Sequence, residues 1–140
     1  MVLISKENIL KYIPQREPFV MIDSILEVKN NEFHTEKLWE ESNLFNREGF
    51  ISESGLTEFI AQSCAAGFGY QQSLSEGGEA KIGFIGAISK WELSELPPIL
   101  STTECKISVL TQFENIQLVE GQVFYNNKMI LECQLKIVLT

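Results

Sequence analysis

The chain has 140 residues and an ordinary globular composition, 44% hydrophobic and 21% charged, which predicts a single domain spanning residues 1–140. Its net charge of −8 disfavours nucleic acid and anionic membranes as partners, because both select for lysine and arginine. The first residues form too short an apolar run for a signal peptide, and no segment approaches the length of a transmembrane helix, so we expect a cytoplasmic protein.

The first third of the chain predicts a short helix and two strands. Ser5 is a suitable N-cap for a helix over residues 5–11. Apolar and alternating patterns predict strands over residues 19–29 and 32–41, joined by the turn signal Asn-Asn. Residues 42–54 are polar and predict a loop.

A long, mostly apolar helix is predicted from Ser54, a good N-cap, to about Leu74. This segment contains several alanines together with Gly67 and Gly69. Each glycine costs about 1 kcal/mol of helix propensity relative to alanine. We therefore expect close tertiary packing, such as a sheet wrapped around the helix, to compensate.

Strand patterns fill the rest of the chain, over residues 81–91, 102–113, 116–125 and 128–139. In the last strand, one face is predicted to consist of Met129, Leu131, Cys133, Leu135, Ile137 and Leu139. Because the strands are joined mainly by hairpins, the element order predicts an α+β fold in which an antiparallel sheet embraces one helix.

The cysteines and the histidine carry no clear chemical signal. Cys64, Cys105 and Cys133 are widely spaced without a C-x-x-C pair, which argues against a disulfide framework or a zinc site. We expect three buried thiols in a reducing compartment and neither a metal nor a cofactor. The one histidine, His34, lies in the second strand pattern and is expected to be a partly exposed strand residue.

The long helix carries the strongest indication of chemistry. Glu58 and Gln62 are four residues apart, so they lie one turn apart on the same helix face. A carboxylate on a helix destined for burial is costly unless it has a partner or a function. Glu58 is therefore either a catalytic acid or a structural one, and Gln62 either a positioning group or a packing amide.

Three segments carry a resemblance to a known family. Residues 13–23 read IPQREPFVMID, residues 58–62 read EFIAQ, and residues 83–88 read GFIGAI. These resemble, in turn, the Leu-Pro-His-Arg-x-Pro-Phe-Leu-x-x-Asp opening, the Glu-x-x-Ala-Gln helix signature and the following strand of the (3R)-hydroxyacyl-acyl-carrier-protein dehydratases of fatty-acid synthesis. The resemblance extends from about residue 5 to residue 138 and implies the hot-dog fold, one central helix wrapped by a curved antiparallel sheet.

The resemblance also implies roles for individual residues. Glu58 would be the catalytic acid, and Gln62 would hold Glu58 or a water in position. Gly55 and Leu56, at the start of the helix, would direct backbone N–H groups at the thioester oxygen. The remaining expected substrate-binding residues are Asn46, Arg47, Gly83 and Gly86.

The chain departs from the family at the catalytic histidine, which lies in a Gly-His-Phe-Pro stretch before the central helix. Residues 43–54 read NLFNREGFISES here, without His or Pro, and the histidine of the opening motif is replaced by Gln15. Three functions stay open. Glu58 could perform both proton transfers of a dehydratase, the chain could be a non-catalytic acyl-binding or heterodimer partner subunit, or Glu58 could activate water in an acyl-thioester hydrolase.

The partners implied by the resemblance are an acyl-carrier-protein or acyl-CoA thioester and a second hot-dog chain, in a homodimer or a heterodimer. The strand after the central helix, residues 81–90, would join the two sheets edge to edge, because an unpaired apolar edge invites aggregation. Candidate basic residues for docking an acidic carrier protein are Arg16, Arg47, Lys81, Lys90 and Lys106.

Overall fold

The computed structural model describes residues 2–75 and 83–139. The first half of the chain forms a 3₁₀ helix (Lys6–Lys11), then β1 (Ser24–Val28), β2 (Glu32–Leu38), β3 (Asn46–Arg47), β4 (Phe50–Ile51) and the long helix α1 (Glu53–Ser73). The second half forms β5 (Gly83–Leu93), β6 (Thr102–Phe113), β7 (Ile116–Tyr125) and β8 (Lys128–Leu139). The predicted strand over residues 81–91 begins outside the described residues, as does the candidate docking residue Lys81.

Six strands form one antiparallel sheet in the order β1-β2-β6-β7-β8-β5, and β3 and β4 form a separate small hairpin. The helix α1 packs against β1, β2, β6 and β7. The predicted α+β arrangement, one helix on a curved antiparallel sheet, is therefore confirmed. The bounds of β6, β7 and β8 are those predicted from the sequence.

The glycines of α1 allow the close packing that the sequence predicted. A Cβ on Gly67 would lie 2.2 Å from Cδ2 of Phe33 on β2. A Cβ on Gly69 would lie 2.7 Å from the backbone oxygen of Tyr12. The helix therefore accepts a strand on one side and the N-terminal segment on the other only because these positions lack side chains.

The predicted strand over residues 19–29 is wrong at its start, since β1 begins only at Ser24. The backbone groups of Phe19 and Met21 bond to the side chain of Gln62 on α1 instead of to a neighbouring strand. Residues 19–23 thus form a strap across the helix. The second strand also ends earlier than predicted, at Leu38.

The predicted N-caps need correction. The N-cap of α1 is Ser52, not Ser54, so the helix begins inside the segment predicted to be a loop, which also contains the β3–β4 hairpin. Ser5 does precede the first helix, but that helix is 3₁₀ and neither Ser5 nor Ser52 caps through its side chain.

The prediction that one set of apolar residues shares a face of β8 holds from Leu131 to Ile137, where that face is buried, but fails near the start of the strand. Met129 is 42% exposed, whereas Ile130 is 1% exposed. A register shift opposite Val123 and Phe124 of β7 inserts one extra residue in β8, and such a bulge turns the next side chains to the other face.

The three cysteines are free and buried, as predicted. Burial raises the pKa of the Cys105 thiol to about 12 and that of the Cys133 thiol to about 11, and it raises the pKa of Cys64 well above its ordinary value. All three stay protonated near neutral pH, which makes them small core groups rather than nucleophiles. No helix in residues 2–75 and 83–139 is long and apolar enough to cross a membrane.

Candidate active site

The predicted pair on α1 is joined by a hydrogen bond. The side-chain nitrogen Nε2 of Gln62 donates to Oε2 of Glu58 at 3.0 Å. Glu58 is half-buried, whereas Gln62 is fully buried. In the described part of the chain, this is the one hydrogen bond of the Glu58 side chain, so its other oxygen, Oε1, is available to a ligand.

The backbone partners of Gln62 fix which way its amide points. Its Oε1 accepts from the backbone N–H of Met21 at 2.6 Å, and its Nε2 also donates to the backbone oxygen of Phe19 at 2.9 Å. A backbone N–H can only donate and a carbonyl can only accept. The N–H group of Gln62 must therefore face Glu58, and Gln62 positions the carboxylate while it anchors the strap.

The start of α1 is held close to the hairpin. A Cβ on Gly55 would lie 2.8 Å from atoms of both Ile51 and Phe45, so only glycine fits at this position. Backbone N–H groups in a first helical turn have no acceptor within the helix. The N–H of Leu56 does not belong to that set, because it donates to the carbonyl of Ser52 at 3.2 Å. Of the two backbone N–H groups predicted to face the thioester oxygen, only that of Gly55 therefore stays a candidate donor.

The hairpin residues predicted to bind substrate differ in what they do. The side chain of Asn46 stabilises the loop and hairpin around it. Its Nδ2 donates to the backbone oxygen of Glu41, and its Oδ1 accepts from the N–H of Gly49. Arg47 is exposed and makes no ion pair with any described residue. Arg47 alone of the two therefore has a side chain that is free to meet a ligand.

A groove of about 340 Å³ lies between α1, the segment after the 3₁₀ helix, and the ends of β5 and β8. Its floor includes Ala61, Ala65 and Phe68. Glu58 stands one turn before Ala61, on the same helix face. The helix side of the groove thus begins one turn after Glu58, which is not itself a lining residue, and the opposite wall includes Lys11 and Arg16. The family resemblance implies an acyl channel beside Glu58, at the seam between two subunits. Which residues line such a channel was not predicted from the sequence, although the spacing of Ala61 and Ala65 is a signal for it.

The two predicted glycines of β5 lie unequally with respect to this groove. Gly83 lines it, and a Cβ there would lie 3.2 Å from Cδ2 of Leu139. Gly86 lies beside the backbone of Lys136 on β8 instead. The structure therefore brings Gly83 to the groove and leaves Gly86 outside it.

His34 lies away from this site. Along β2 the buried residues are Phe33, Thr35 and Lys37, so His34 points to the outer face of the sheet. There its Nε2 lies 3.2 Å from Oε1 of Glu32, as expected for a partly exposed strand residue. Hydrogen bonds from His34 and Lys106 hold the pKa of the Glu32 carboxyl below its ordinary value.

Two other candidate docking residues lie apart from each other. Lys106 is ion-paired with Glu32 at 3.2 Å. Arg16 lines the groove, where its Nη1 donates to the backbone oxygens of Ile13 and Gln15. Among residues 2–75 and 83–139, no three His, Cys, Asp or Glu side chains are grouped so as to hold a metal ion.

Comparison with known proteins adds a family and several structures. The model of the ApeP-like family, described as ApeP dehydratase, matches residues 7–139. The dehydratase heterocomplex ApeI:P from Xenorhabdus doucetiae has a chain with a TM-score of 0.86 and 16% identity, covering 94% of this chain and 90% of that one. A search of curated proteins finds no sequence match.

Other solved structures share the fold at lower similarity. A hypothetical thioesterase from Streptococcus pneumoniae with coenzyme A has a TM-score of 0.67 and 9% identity, covering 83% of this chain and 84% of that one. The protein smu.793 from Streptococcus mutans, bound to acetyl CoA, has a TM-score of 0.71 and 8% identity, covering 92% and 96%. At these identities the likeness establishes the hot-dog fold and nothing finer.

Proposed function

The chain belongs to the ApeP-like dehydratase family, and we propose that it acts in the dehydration of a 3-hydroxyacyl thioester with Glu58 as the main acid and base. The hydrogen bond from Gln62 to Glu58, one helical turn before the groove begins at Ala61, supports this most directly. The groove would hold the acyl chain, and the carboxylate would stand at the reacting carbons.

The reaction needs two proton transfers and one site for negative charge. A base removes the proton from C2, the C3–O bond breaks, and the hydroxyl takes up a proton and leaves as water, which gives the 2-enoyl thioester. Glu58 can accept the first proton and return it to the hydroxyl. The free N–H of Gly55 at the start of α1 would stabilise charge on the thioester oxygen.

A second candidate is that the chain is one half of a heteromeric dehydratase, in which another hot-dog chain supplies the base. No histidine of the described residues lies near Glu58, and a related structure is a dehydratase heterocomplex. Leu44 precedes Phe45 as the family's histidine precedes phenylalanine in Gly-His-Phe-Pro, and Leu44 is 46% exposed.

The decisive experiment assays the purified chain against 3-hydroxyacyl thioesters of both acyl carrier protein and CoA. We expect turnover, with Glu58→Gln lowering it about 100-fold or more because general acid–base catalysis is removed. Glu7→Gln, an exposed acid on the 3₁₀ helix, is the matched control and should be unaffected. Turnover that survives Glu58→Gln would refute the role of Glu58, and release of free thiol would indicate a thioesterase.

The heteromer is tested by a gain of function. If the missing histidine limits the chain, Leu44→His should raise its turnover alone about 100-fold. Failure of the wild-type chain alone, with activity restored by a second hot-dog protein and lost again in Glu58→Gln, would favour the heteromer in which Glu58 reacts. If the second protein restores activity equally with wild type and with Glu58→Gln, this chain is the non-catalytic subunit.

A further inference from the structure

A second, smaller cavity continues beyond the far end of the groove. It has a volume of about 160 Å³ and is lined by Phe68, Gln71, Gln72, Ser75 and Leu139. Two of these residues, Phe68 and Leu139, also line the larger groove. They therefore form the partition between two adjoining spaces.

The distances along α1 show where this partition stands relative to Glu58. Ten residues separate Glu58 from Phe68, which corresponds to about 15 Å along the helix axis. The second cavity reaches Ser75, just after the helix ends. A chain that enters beside Glu58 and follows the helix meets Phe68 and Leu139 before it can reach the second cavity.

The partition is held in place by packing. The ring of Phe68 stacks edge-on against Phe33, with centroids 5.1 Å apart and an interplanar angle of 82°. Phe33 is fully buried and lies against Gly67. The close-packed ring of Phe33 therefore supports one side of Phe68, which is itself half-buried between the two spaces.

Resting on the proposed function, we propose that Phe68 and Leu139 form the end stop of the acyl groove and so set the longest acyl chain that binds well. The occupant is a saturated or unsaturated hydrocarbon chain, because the α1 side of the groove from Ala61 to Phe68 carries no charged side chain. The charged lining residues, Lys11 and Arg16, belong to the N-terminal segment. Removing either residue joins the two spaces and lets a longer chain bind.

The experiment measures binding rather than catalysis, by calorimetric titration of the full chain with free fatty acids of increasing length. Each methylene that is buried should tighten binding about fourfold, as about 0.8 kcal/mol implies, until the chain reaches the end stop. In Phe68→Ala the length at which this gain ceases should increase by about two carbons, and the longer acid should bind about 16-fold more tightly than it binds to wild type.

Phe68→Leu and Leu139→Ala are smaller changes in the same partition and should shift the limit in the same direction. They keep the test decisive if Phe68→Ala does not fold. Phe113→Ala, a ring that is 68% exposed on the β6–β7 hairpin, removes the same group from outside both spaces and should leave the limit unchanged.

An unchanged limit in folded Leu139→Ala and Phe68→Leu would overturn the end stop. If wild type binds no fatty acid of any length, the acyl groove itself is refuted. Normal length-dependent binding by a chain that shows no dehydratase activity would instead leave the end stop standing and refute the proposed reaction, so the two failures are distinguishable.

Discussion

The sheet has two edge strands, β1 and β5, and they differ in what covers their outer sides. The outer side of β1 is covered by the chain's own N-terminus, where the N–H of Leu3 donates to the carbonyl of Ile25 and the N–H of Ile25 donates to the carbonyl of Ile4. On the outer side of β5, no strand pairs within residues 2–75 and 83–139.

The side chains of the uncovered edge strand, β5, are also exposed. The open edge carries exposed apolar residues, with Phe84 at 58%, Ile85 at 39% and Ile88 at 39% exposure. Exposed apolar edges are a liability that proteins normally cover or charge. One edge is thus completed within the chain, whereas the other leaves an apolar strand uncovered in the described residues.

The closed edge is further secured by ionic contacts around the buried side chain of Lys37. The ammonium group of Lys37 at the end of β2 lies 3.2 Å from Asp23 and 3.1 Å from Glu40, and its side chain is only 3% exposed. Asp23 also accepts from the backbone N–H of Leu38 at 2.8 Å, and Lys6 of the 3₁₀ helix lies 3.6 Å from Glu40. The contacts join the start of β1 to the end of β2.

The largest effect is expected from breaking these contacts. Lys37→Ala should lower the free energy of unfolding by about 3 kcal/mol, because it leaves the buried carboxylate of Asp23 without its buried partner. Urea denaturation measures this loss. Lys128→Ala removes an exposed pair with Glu95, 2.9 Å apart, and should cost at most about 0.5 kcal/mol. Equal losses in the two variants would show that the closed edge does not depend on Lys37.

An effect of similar size is expected from releasing the strap that leads into β1. Gln62→Leu leaves the N–H of Met21 and the carbonyl of Phe19 without partners, which should lower the free energy of unfolding by about 2–4 kcal/mol. Thermal and urea unfolding measure it. The control is Gln122→Leu, which loses one hydrogen bond, to Glu132, and should cost about 1 kcal/mol. If other contacts anchor the strap, Gln62→Leu and Gln122→Leu should lower the free energy of unfolding by similar amounts.

Charging the open edge should weaken association rather than folding. Ile88→Lys on β5 should weaken pairing with a second chain at least about tenfold, equivalent to about 1.4 kcal/mol, with little change in the melting temperature. Sedimentation of the chain, alone and with a hot-dog partner, measures this. Leu110→Lys, on β6 and 47% exposed, is the matched control. If both variants associate as wild type does, the open edge is not the contact surface.

The smallest effect concerns two facing acids near the closed edge. Glu36 on β2 lies opposite Glu104 on β6, and burial, aided by Glu104 and Asp23, raises the pKa of the Glu36 carboxyl above its ordinary value. The folded state therefore favours the protonated form, and the ionised form costs stability as the pH rises above the unfolded pKa.

Glu36→Gln removes that cost. At pH 7 the variant should be more stable than wild type by roughly 0.5 kcal/mol, and the difference should vanish at about pH 3.5, where Glu36 is protonated in both states. Urea denaturation at the two pH values measures it. A gain of the same size at both would show that the effect is packing rather than charge.

The parts of the fold that the sequence predicted well are those with local signals. The alternation in residues 102–139 and the Asn-Asn turn led to the bounds of β6, β7 and β8, because a hairpin register depends on residues close in the chain. Asn126 and Asn127 both have positive φ angles, 51° and 60°, as such a turn requires. The strap over residues 19–23 was predicted as a strand, since its apolar pattern does not reveal that Gln62, about forty positions on, takes its hydrogen bonds.

In the candidate site, too, the features with local sequence signals were predicted and the others were not. The four-residue spacing of Glu58 and Gln62 is enough to place them on one helix face, because such neighbours meet in any α-helix. In contrast, the groove beside α1 depends on which distant segments meet the helix. The hydrogen bonds of the Asn46 side chain and of the Leu56 N–H join residues within five positions in the chain, but they depend on where the hairpin turns and where α1 begins. The bulge at the start of β8 likewise depends on how that strand pairs with β7.

By itself, the sequence determined the antiparallel sheet around one helix and the carboxylate on that helix, because periodicity and glycine content act through neighbouring residues. Only the tertiary structure decided which sheet edge is closed, how the carboxylate is held and how far the apolar channel extends. Those features come from contacts between segments far apart in the chain, whose packing no local pattern encodes.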